Sequence, residues 1–319
     1  MSFTGGFLMK KIMCGVLALL MSGAMLFAFG AKRQKKVKIG FLAPTLQTEF
    51  FITIDDGLKA GTKAKGWDYV SVSFDNDSSK AVTAIENMVT GQCSVIIAMV
   101  SDSSCDAALK LAQSEGVKIM ECGVQTSVYD VCLNTDQHGI GVQIGTMTAD
   151  WINSKLSGKA NVVVYTTFQN QDMQKRGQGI QDAIKKNSPN ANILEVVDIG
   201  KDVVGAGTST TENMLQKYPD LNVIACYGDA AAVEAMEAVK AAGVPASKFG
   251  IFSCDGTERA LKGIASNSVQ RGTVQFAPLA PQMLEYCERV LKGEKFSQIV
   301  MMETHNITAA NISKYYTAK

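Results

Sequence analysis

Residues 37–51 read VKIGFLAPTLQTEFF, and this stretch predicts the kind of fold that the chain adopts. Residues 37–43 form a short apolar run that ends before Pro44, which is typical of a buried strand. A polar loop follows, and a helical pattern begins at Phe50 and Phe51. In an open α/β sheet, ligands bind at the loops that leave the carboxyl ends of the strands. We therefore expect at least one phenylalanine to stack on a small ligand; the alternative is that one of the pair fills the core.

Strand and helix patterns alternate along the rest of the chain. A longer amphipathic helix at 140–156 begins a second half, and the last strand pattern lies at 299–302. Such alternation predicts an α/β fold with a doubly wound parallel sheet in each half. About 290 residues exceed one ordinary core, so we expect two lobes. No proline- or serine-rich linker separates the halves, which favours lobes that close about a hinge.

The N-terminal residues 1–30 have the pattern of a signal peptide. Lys10 and Lys11 precede an apolar stretch, and a small-x-small sequence ends before Ala31, where cleavage is expected. The alternative is a retained anchor helix, because roughly 18 apolar residues approach the minimum for spanning a bilayer. We predict a periplasmic or otherwise extracytoplasmic body, anchored to the membrane if the leader is retained.

Composition argues against nucleic-acid binding and against a metal centre. The net charge is only +1, which provides no electrostatic basis for binding nucleic acid. Of the eight cysteines, Cys14 lies in the leader, and the remainder form no C-x-x-C pair. We interpret them as small buried hydrophobic residues; the alternative is that two of them form a disulfide. With only His138 and His305 as histidines and no ligand spacing, we expect no metal and no cofactor.

An enzyme is the main alternative class, and the sequence offers little for it. Neither histidine shares a loop with a plausible nucleophile, and no G-x-S-x-G, Walker or G-x-G-x-x-G motif follows the first strand. The glycine-rich piece Gly205-Ala206-Gly207 opens a helix and could hold a phosphate at the helix N-terminus. Without the rest of a nucleotide motif, we predict no enzyme and no catalytic residue.

Polar residues follow several of the predicted strands. Because the strands are parallel, the loops at their carboxyl ends collect at the lobe edges that face the cleft. These residues are candidate ligand contacts; alternatively, they are only helix caps and turns. The candidates are Asp102, Asp229, Asp255 and Gln275.

A set of short motifs then carries a resemblance to a known family. The chain resembles the ribose-binding branch of periplasmic sugar-binding proteins of ABC importers, from about Val37 to Lys295. This type I periplasmic binding fold is shared with lac-repressor-type regulators. The motifs, in order, are KIGF, PTL, FF and DG in the first stretch, Ser101-Asp102, Arg176-Gly177-x-Gly179, Gly228-Asp229, Cys254-Asp255-Gly256-Thr257 and Val274-Gln275.

The resemblance implies two doubly wound lobes joined by a hinge that the chain crosses three times. The crossings are expected near residues 136–139, 276–278 and 304–306. The implied N-terminal lobe comprises 37–136 plus 277–304, and the C-terminal lobe 137–276 plus 305–319.

The resemblance also implies partners. The loaded protein of this family is received by an ABC permease in the membrane, and some members engage chemoreceptors or sensor kinases. We therefore expect a monomer that binds a small molecule and delivers it to an importer. The alternative is a ligand-sensing subunit that signals to a membrane kinase or chemoreceptor.

The family's binding residues carry over unevenly. Phe50 and Phe51 correspond to the aromatic residues that stack on the sugar. Asp255 and Gln275 are the same residue types that the family has at these positions. Elsewhere, Thr48 replaces an asparagine of the first loop. Further substitutions place Cys122 and Gly123 where the family has an Asp-Arg pair, Gln174 where it has arginine, and Gly228 where it has asparagine, while Arg176 and Asp229 remain.

These replacements change the predicted ligand. The missing arginines would donate charge-assisted hydrogen bonds to vicinal hydroxyls, each contributing roughly 1.5–3 kcal/mol. We expect a less charged and roomier pocket that still binds a sugar or polyol. The alternative is a nucleoside or an amine, the latter met by Glu121, Asp202 or Asp255.

Overall fold

The computed structural model describes residues 36–100, 103–123, 126–168, 170–200 and 204–317. The predicted leader, Asp102 and Asp202 lie outside the described residues. The body, Lys38–Lys319, forms one compact unit. Within the described ranges, no helix combines the length and the apolar character needed to cross a membrane.

The first half of the chain alternates strands and helices, as predicted. Its first helix buries Ile54, Leu58 and Thr62, which recur every four residues on one face. The elements are β1 (Lys38–Ala43), α1 (Glu49–Ala64), β2 (Asp68–Ser73), α2 (Ser78–Thr90), β3 (Val95–Ala98), α3 (Asp106–Ser114), β4 (Lys118–Cys122) and β5 (Val131–Asn134).

The second half continues the alternation. Its first helix begins three residues earlier than predicted, because the Asp136 carboxylate accepts a hydrogen bond from Gly139 N and caps it. The elements are α4 (Gln137–Lys155), β6 (Asn161–Thr166), α5 (Gln171–Asn187), β7 (Asn192–Asp198), α6 (Ala206–Lys217), β8 (Val223–Cys226), α7 (Asp229–Ala241), β9 (Gly250–Asp255), α8 (Glu258–Ala265), β10 (Gln270–Phe276), α9 (Leu279–Leu291), β11 (Val300–Met301) and β12 (Thr304–Thr308).

The strands form two six-stranded sheets. The first has the order β11-β5-β4-β3-β1-β2 and the second β12-β10-β9-β8-β6-β7. All described pairings are parallel except that of β10 with β12. The predicted α/β fold with two parallel-dominated sheets is therefore confirmed, and β12 adds an antiparallel edge that the sequence pattern did not reveal.

Helices cover both faces of the second sheet. Along β6, Val163 and Tyr165 pack into one hydrophobic cluster, and Val162 and Val164 pack into another on the opposite face. Burial on both faces explains why this strand reads as a continuous apolar run. The same reasoning applies to the strand VIIA of the first sheet, which is entirely buried.

The chain passes between the two sheets at three short segments. These are residues 135–136, 277–278 and 302–303. The third lies just before the predicted position, because residues 304–306 already belong to β12 and pair with β10. Residues at the carboxyl ends of several strands in both sheets, such as Cys122, Thr135 and Tyr227, border the space between the sheets.

Candidate ligand-binding site

A cavity of about 450 Å³ lies between the two sheets. Its lining combines the loop before α1 with loops that follow β6, β8 and β9. This volume is in the range of small-molecule sites, which are concave and largely pre-formed.

Most of the predicted site residues meet at this cavity. Gln174 and Gln275 lie outside the described lining: Gln174 Nε2 donates to the carbonyl of Phe168, and Gln275 Nε2 donates to that of Gly256. Asp102 lies outside the described residues. The predicted residues in the lining are Thr48, Phe50, Phe51, Cys122, Arg176, Asp229 and Asp255.

An aromatic cluster occupies one part of the lining. The ring centroids of Phe50 and Phe51 are 5.1 Å apart in an edge-to-face arrangement, and Phe276 lies 6.0 Å from Phe50. Such rings offer an apolar face for the C–H surface of a small ring. Sequence reasoning missed Phe276, although it directly follows Gln275 at the end of β10.

Two buried hydroxyls of the lining lack a hydrogen-bond partner among the described residues. They are Thr48 Oγ1 and Thr135 Oγ1, on side chains that are 7% and 8% exposed. A buried hydroxyl without a partner is costly, so such groups in a cavity are typical of sites that await a ligand or an ordered water. The sequence indicated Thr48, but Thr135 follows a short strand without any motif.

Arg176 is held by protein groups. Its Nε and Nη2 both donate to Gln137 Oε1, and its Nη1 donates to the carbonyl of Tyr227 at 2.6 Å. The close packing of α4 on α5 positions it, because a side chain at Gly141 would clash with the Arg176 carbonyl. The guanidinium therefore has little freedom to reorganise around a ligand, although it borders the cavity.

Asp229 is fully buried and accepts four hydrogen bonds. The donors are Ser253 Oγ, Thr273 Oγ1, and the backbone nitrogen and hydroxyl of Thr257, at 2.5–3.0 Å. Desolvation by burial raises the pKa of this carboxyl to about 6, against the lowering effect of its donors. At neutral pH, Asp229 is an ionised carboxylate that connects β9, β10 and the start of α8.

Asp255 has the left-handed backbone that L-residues rarely adopt, with φ 121°. Its Oδ2 accepts a hydrogen bond from Asp229 N at 3.1 Å. Gly256, also at positive φ, must lack a side chain because a Cβ there would overlap Gln275. Such strain clusters at functional sites, where the surrounding structure maintains it. Gln275 thus supports the turn that presents Asp255.

A sulphur-rich wall completes the first-sheet side. Cys122 Sγ lies 4.0 Å from Met302 Sδ, and Met99 borders the same cavity. Burial raises the pKa of the Cys122 thiol, so the group is neutral. This wall is apolar where the resembled family has an Asp-Arg pair.

Glu121 does not fit the role of a charged ligand contact. It is fully buried, and Thr126 Oγ1 donates to its Oε1 while its Oε2 lacks a partner among the described residues. Burial raises the pKa of Glu121 well above its usual value, which disfavours the charged form that would attract an amine. Glu121 is also absent from the described lining of the cavity.

Two other chemistries, phosphate binding and metal binding, find no support among the described residues. Gly205 N and Gly207 N, which a phosphate would need, already donate to the Glu234 carboxylate at 2.7 and 2.8 Å. In the part of the chain that the structure describes, no group of three histidine, cysteine, aspartate or glutamate residues could hold a metal ion.

Comparison with known proteins agrees with this geometry. Residues 39–295 match the family model described as periplasmic binding protein domain. The ribose import binding protein of Haemophilus influenzae is 25% identical over 290 residues, which cover 90% of this chain and 95% of that protein. A ribose import binding protein of Bacillus subtilis is 24% identical over 278 residues, 84% of this chain and 86% of that one.

A solved structure shows the same fold. The periplasmic solute-binding protein of an ABC transporter from Actinobacillus succinogenes, with bound D-allose, superposes with a TM-score of 0.79. It is 20% identical, and the match covers 88% of this chain and 100% of that one. The family match spans well over half of the residues. The chain therefore belongs to the periplasmic binding protein domain family, whose members bind substrates and are not enzymes.

Proposed function

We propose that this protein binds a monosaccharide or polyol in the cavity and delivers it to an ABC importer. Relatives named for ribose import, which match over nearly their whole length, support this assignment. A solved relative of the same fold holds D-allose. The present protein would be located in the periplasm, in keeping with the family.

The two unpartnered hydroxyls carry the proposal. Thr48 and Thr135 border the same cavity as the Phe50–Phe51 pair. A sugar or polyol has both hydroxyls for the threonines and C–H faces for the rings. A purely apolar ligand would leave the threonine hydroxyls unpaired, which disfavours its binding.

Several charged groups of the lining are not available to a ligand. Arg176, Asp229 and Glu234 are already engaged by protein groups. Ligand hydroxyls would therefore meet Thr48, Thr135 and Asp255 rather than a set of arginines. We infer that the ligand presents a face with few hydroxyls to the sulphur-rich wall of Met99, Cys122 and Met302.

Closure about the three connecting segments would bury the ligand. The lobe division and the monomeric state remain proposals, as does removal of residues 1–30 during export. The mass of the protein in solution tests the monomeric state, and N-terminal sequencing of protein from the periplasmic fraction tests the removal of residues 1–30.

A thermal-shift screen tests the cargo. Leader-free protein is heated with pentoses, hexoses, polyols, nucleosides and amines, and a ligand at a hundredfold excess over Kd stabilises the folded state by about 2.7 kcal/mol. We expect a rise with at least one sugar or polyol, which Phe51→Ala abolishes. Phe296→Ala, a half-buried phenylalanine outside the lining, is the matched control. A rise only with nucleosides or amines would contradict the proposal.

A further inference from the structure

Glu49 connects the two sides of the cavity. It lies in the first turn of α1, beside the first sheet, and its Oε1 accepts hydrogen bonds from Glu258 N and, at 3.3 Å, from Arg259 N. Those two amides open α8, which packs against the second sheet. A side chain on one side thus caps a helix on the other.

The other amides at the start of α8 have partners on their own side. Thr257 N donates to Asp229, and Ala260 N donates to Thr257 Oγ1. The amides of Glu258 and Arg259 are among the groups that a helix N-terminus leaves unsatisfied. Glu49 therefore completes this cap, and its negative charge is placed where the helix dipole favours it.

This contact depends on how the two sides are arranged. Neither Glu49 nor the start of α8 belongs to the three segments that connect the sheets. Rotation about those segments would separate the carboxylate from the amides and return both to water. Formation of α8 does not require an acidic residue at position 49, because Thr257 already caps this helix.

We propose that Glu49 is a closure residue: it stabilises the closed arrangement by capping α8 across the cavity and so sets ligand affinity and dwell time. This rests on the proposed function, in which closure buries the ligand. A residue that favours the closed state raises the affinity for every ligand by the same factor, because it acts on the protein equilibrium. A residue that contacts the ligand would instead affect different ligands unequally.

Ligand-free protein provides the first test, and it needs no known cargo. The Cys122 thiol borders the cavity and is fully buried here, so its alkylation by iodoacetamide reports opening. Glu49→Asp keeps the charge at the start of α1 but shortens the reach, and Glu49→Gln keeps an acceptor without the charge. Glu86→Gln, an exposed carboxylate on α2, is the matched control.

We expect Cys122, followed by peptide mass spectrometry, to react about tenfold faster in Glu49→Asp and about threefold faster in Glu49→Gln, since charge-assisted bonds are roughly twice as strong as neutral ones. The radius of gyration from solution scattering should rise in parallel, with unchanged melting temperature. Alkylation rates equal to those of the wild type and Glu86→Gln would overturn the proposal.

The second test uses D-ribose, D-allose and L-arabinose as probes. For each sugar that binds the wild type, a given variant should weaken Kd by one common factor, because the change acts on the open–closed equilibrium of the protein. A factor that differs between sugars would make Glu49 a ligand contact and overturn the proposal. If none of these sugars binds, these three sugars are excluded as the cargo, while the alkylation comparison still decides the role of Glu49.

Discussion

The second-sheet side of the cavity holds Asp229, whose carboxylate accepts four hydrogen bonds, whereas the first-sheet side holds Thr48, whose buried hydroxyl has no partner among the described residues. Both residues follow the same rule of sequence, since each lies where a strand gives way to a helix. Their neighbours differ. A polar residue at a strand end is therefore available to a ligand only where the fold leaves it unsatisfied.

The largest effect on stability should come from replacing Asp229, whose carboxylate accepts hydrogen bonds from four protein donors. We expect Asp229→Ala to lower the free energy of unfolding by about 4 kcal/mol, because three hydroxyls and an amide lose their buried acceptor. Urea denaturation measures this loss. Asp56→Ala, on the exposed face of α1, should change stability by no more than about 0.5 kcal/mol. A loss near that of the control would make Asp229 a free ligand contact after all.

The Asp229 carboxyl should also make the free energy of unfolding depend on pH, by nearly as much as the Asp229→Ala substitution lowers it. Burial raises the pKa of Asp229 from 3.8 to about 6, so between these values the folded state holds a proton that the unfolded state has lost. Its contribution to stability is present below pH 4 and is lost as the pH rises through 6, by about 3 kcal/mol for about two pKa units.

Asp229→Asn removes this titration. The wild-type free energy of unfolding minus that of the variant should therefore fall between pH 3 and pH 7, in urea series at each pH. A difference that is flat, or that rises with pH, would show that the four donors outweigh desolvation.

Asp255 lies between the two cases, since it makes a protein contact yet has a strained backbone. We expect Asp255→Gly to weaken binding of the best sugar at least about 100-fold, or 2.7 kcal/mol, by removing the carboxylate. Glycine adopts the left-handed backbone freely, so stability should be unchanged or higher by up to about 1 kcal/mol. Calorimetric titration and urea denaturation test both parts, and a marked loss of stability would make Asp255 a structural residue.

The smallest effect should come from the unsatisfied hydroxyls. Thr135→Val and Thr48→Val should each weaken sugar binding about tenfold by removing one ligand hydrogen bond. Without ligand, neither variant should be less stable than the wild type, because each removes a buried hydroxyl that has no protein partner. Thr211→Val is the contrasting control: its hydroxyl bonds Tyr165 and the Gly207 carbonyl, so this variant should lose stability and keep affinity. Wild-type affinity in Thr135→Val would exclude it from the site.

Much of the site could be predicted from the chain alone. Phe50, Phe51 and Asp255 follow strands at positions that parallel topology collects at one edge, and all three border the cavity. Thr135 and Phe276 could not be found in this way, because a threonine and a phenylalanine beside strands are unremarkable without their neighbours. Gln275 stays a predicted ligand contact; in the structure its Nε2 donates to the Gly256 carbonyl, a contact that depends on the turn at Asp255.

The order of elements along the chain is enough to specify the architecture: apolar strands that alternate with amphipathic helices must pair with one another and be covered on both faces, which permits little besides parallel sheets covered by helices. Which polar groups remain unsatisfied depends instead on contacts between segments that are far apart in the chain. Asp229 meets donors from β9, β10 and the start of α8, and Glu49 meets amides more than two hundred residues away. Satisfaction of a buried polar group depends on what lies within about 3 Å of it, and that distance is set by packing between distant segments rather than by neighbours in the chain.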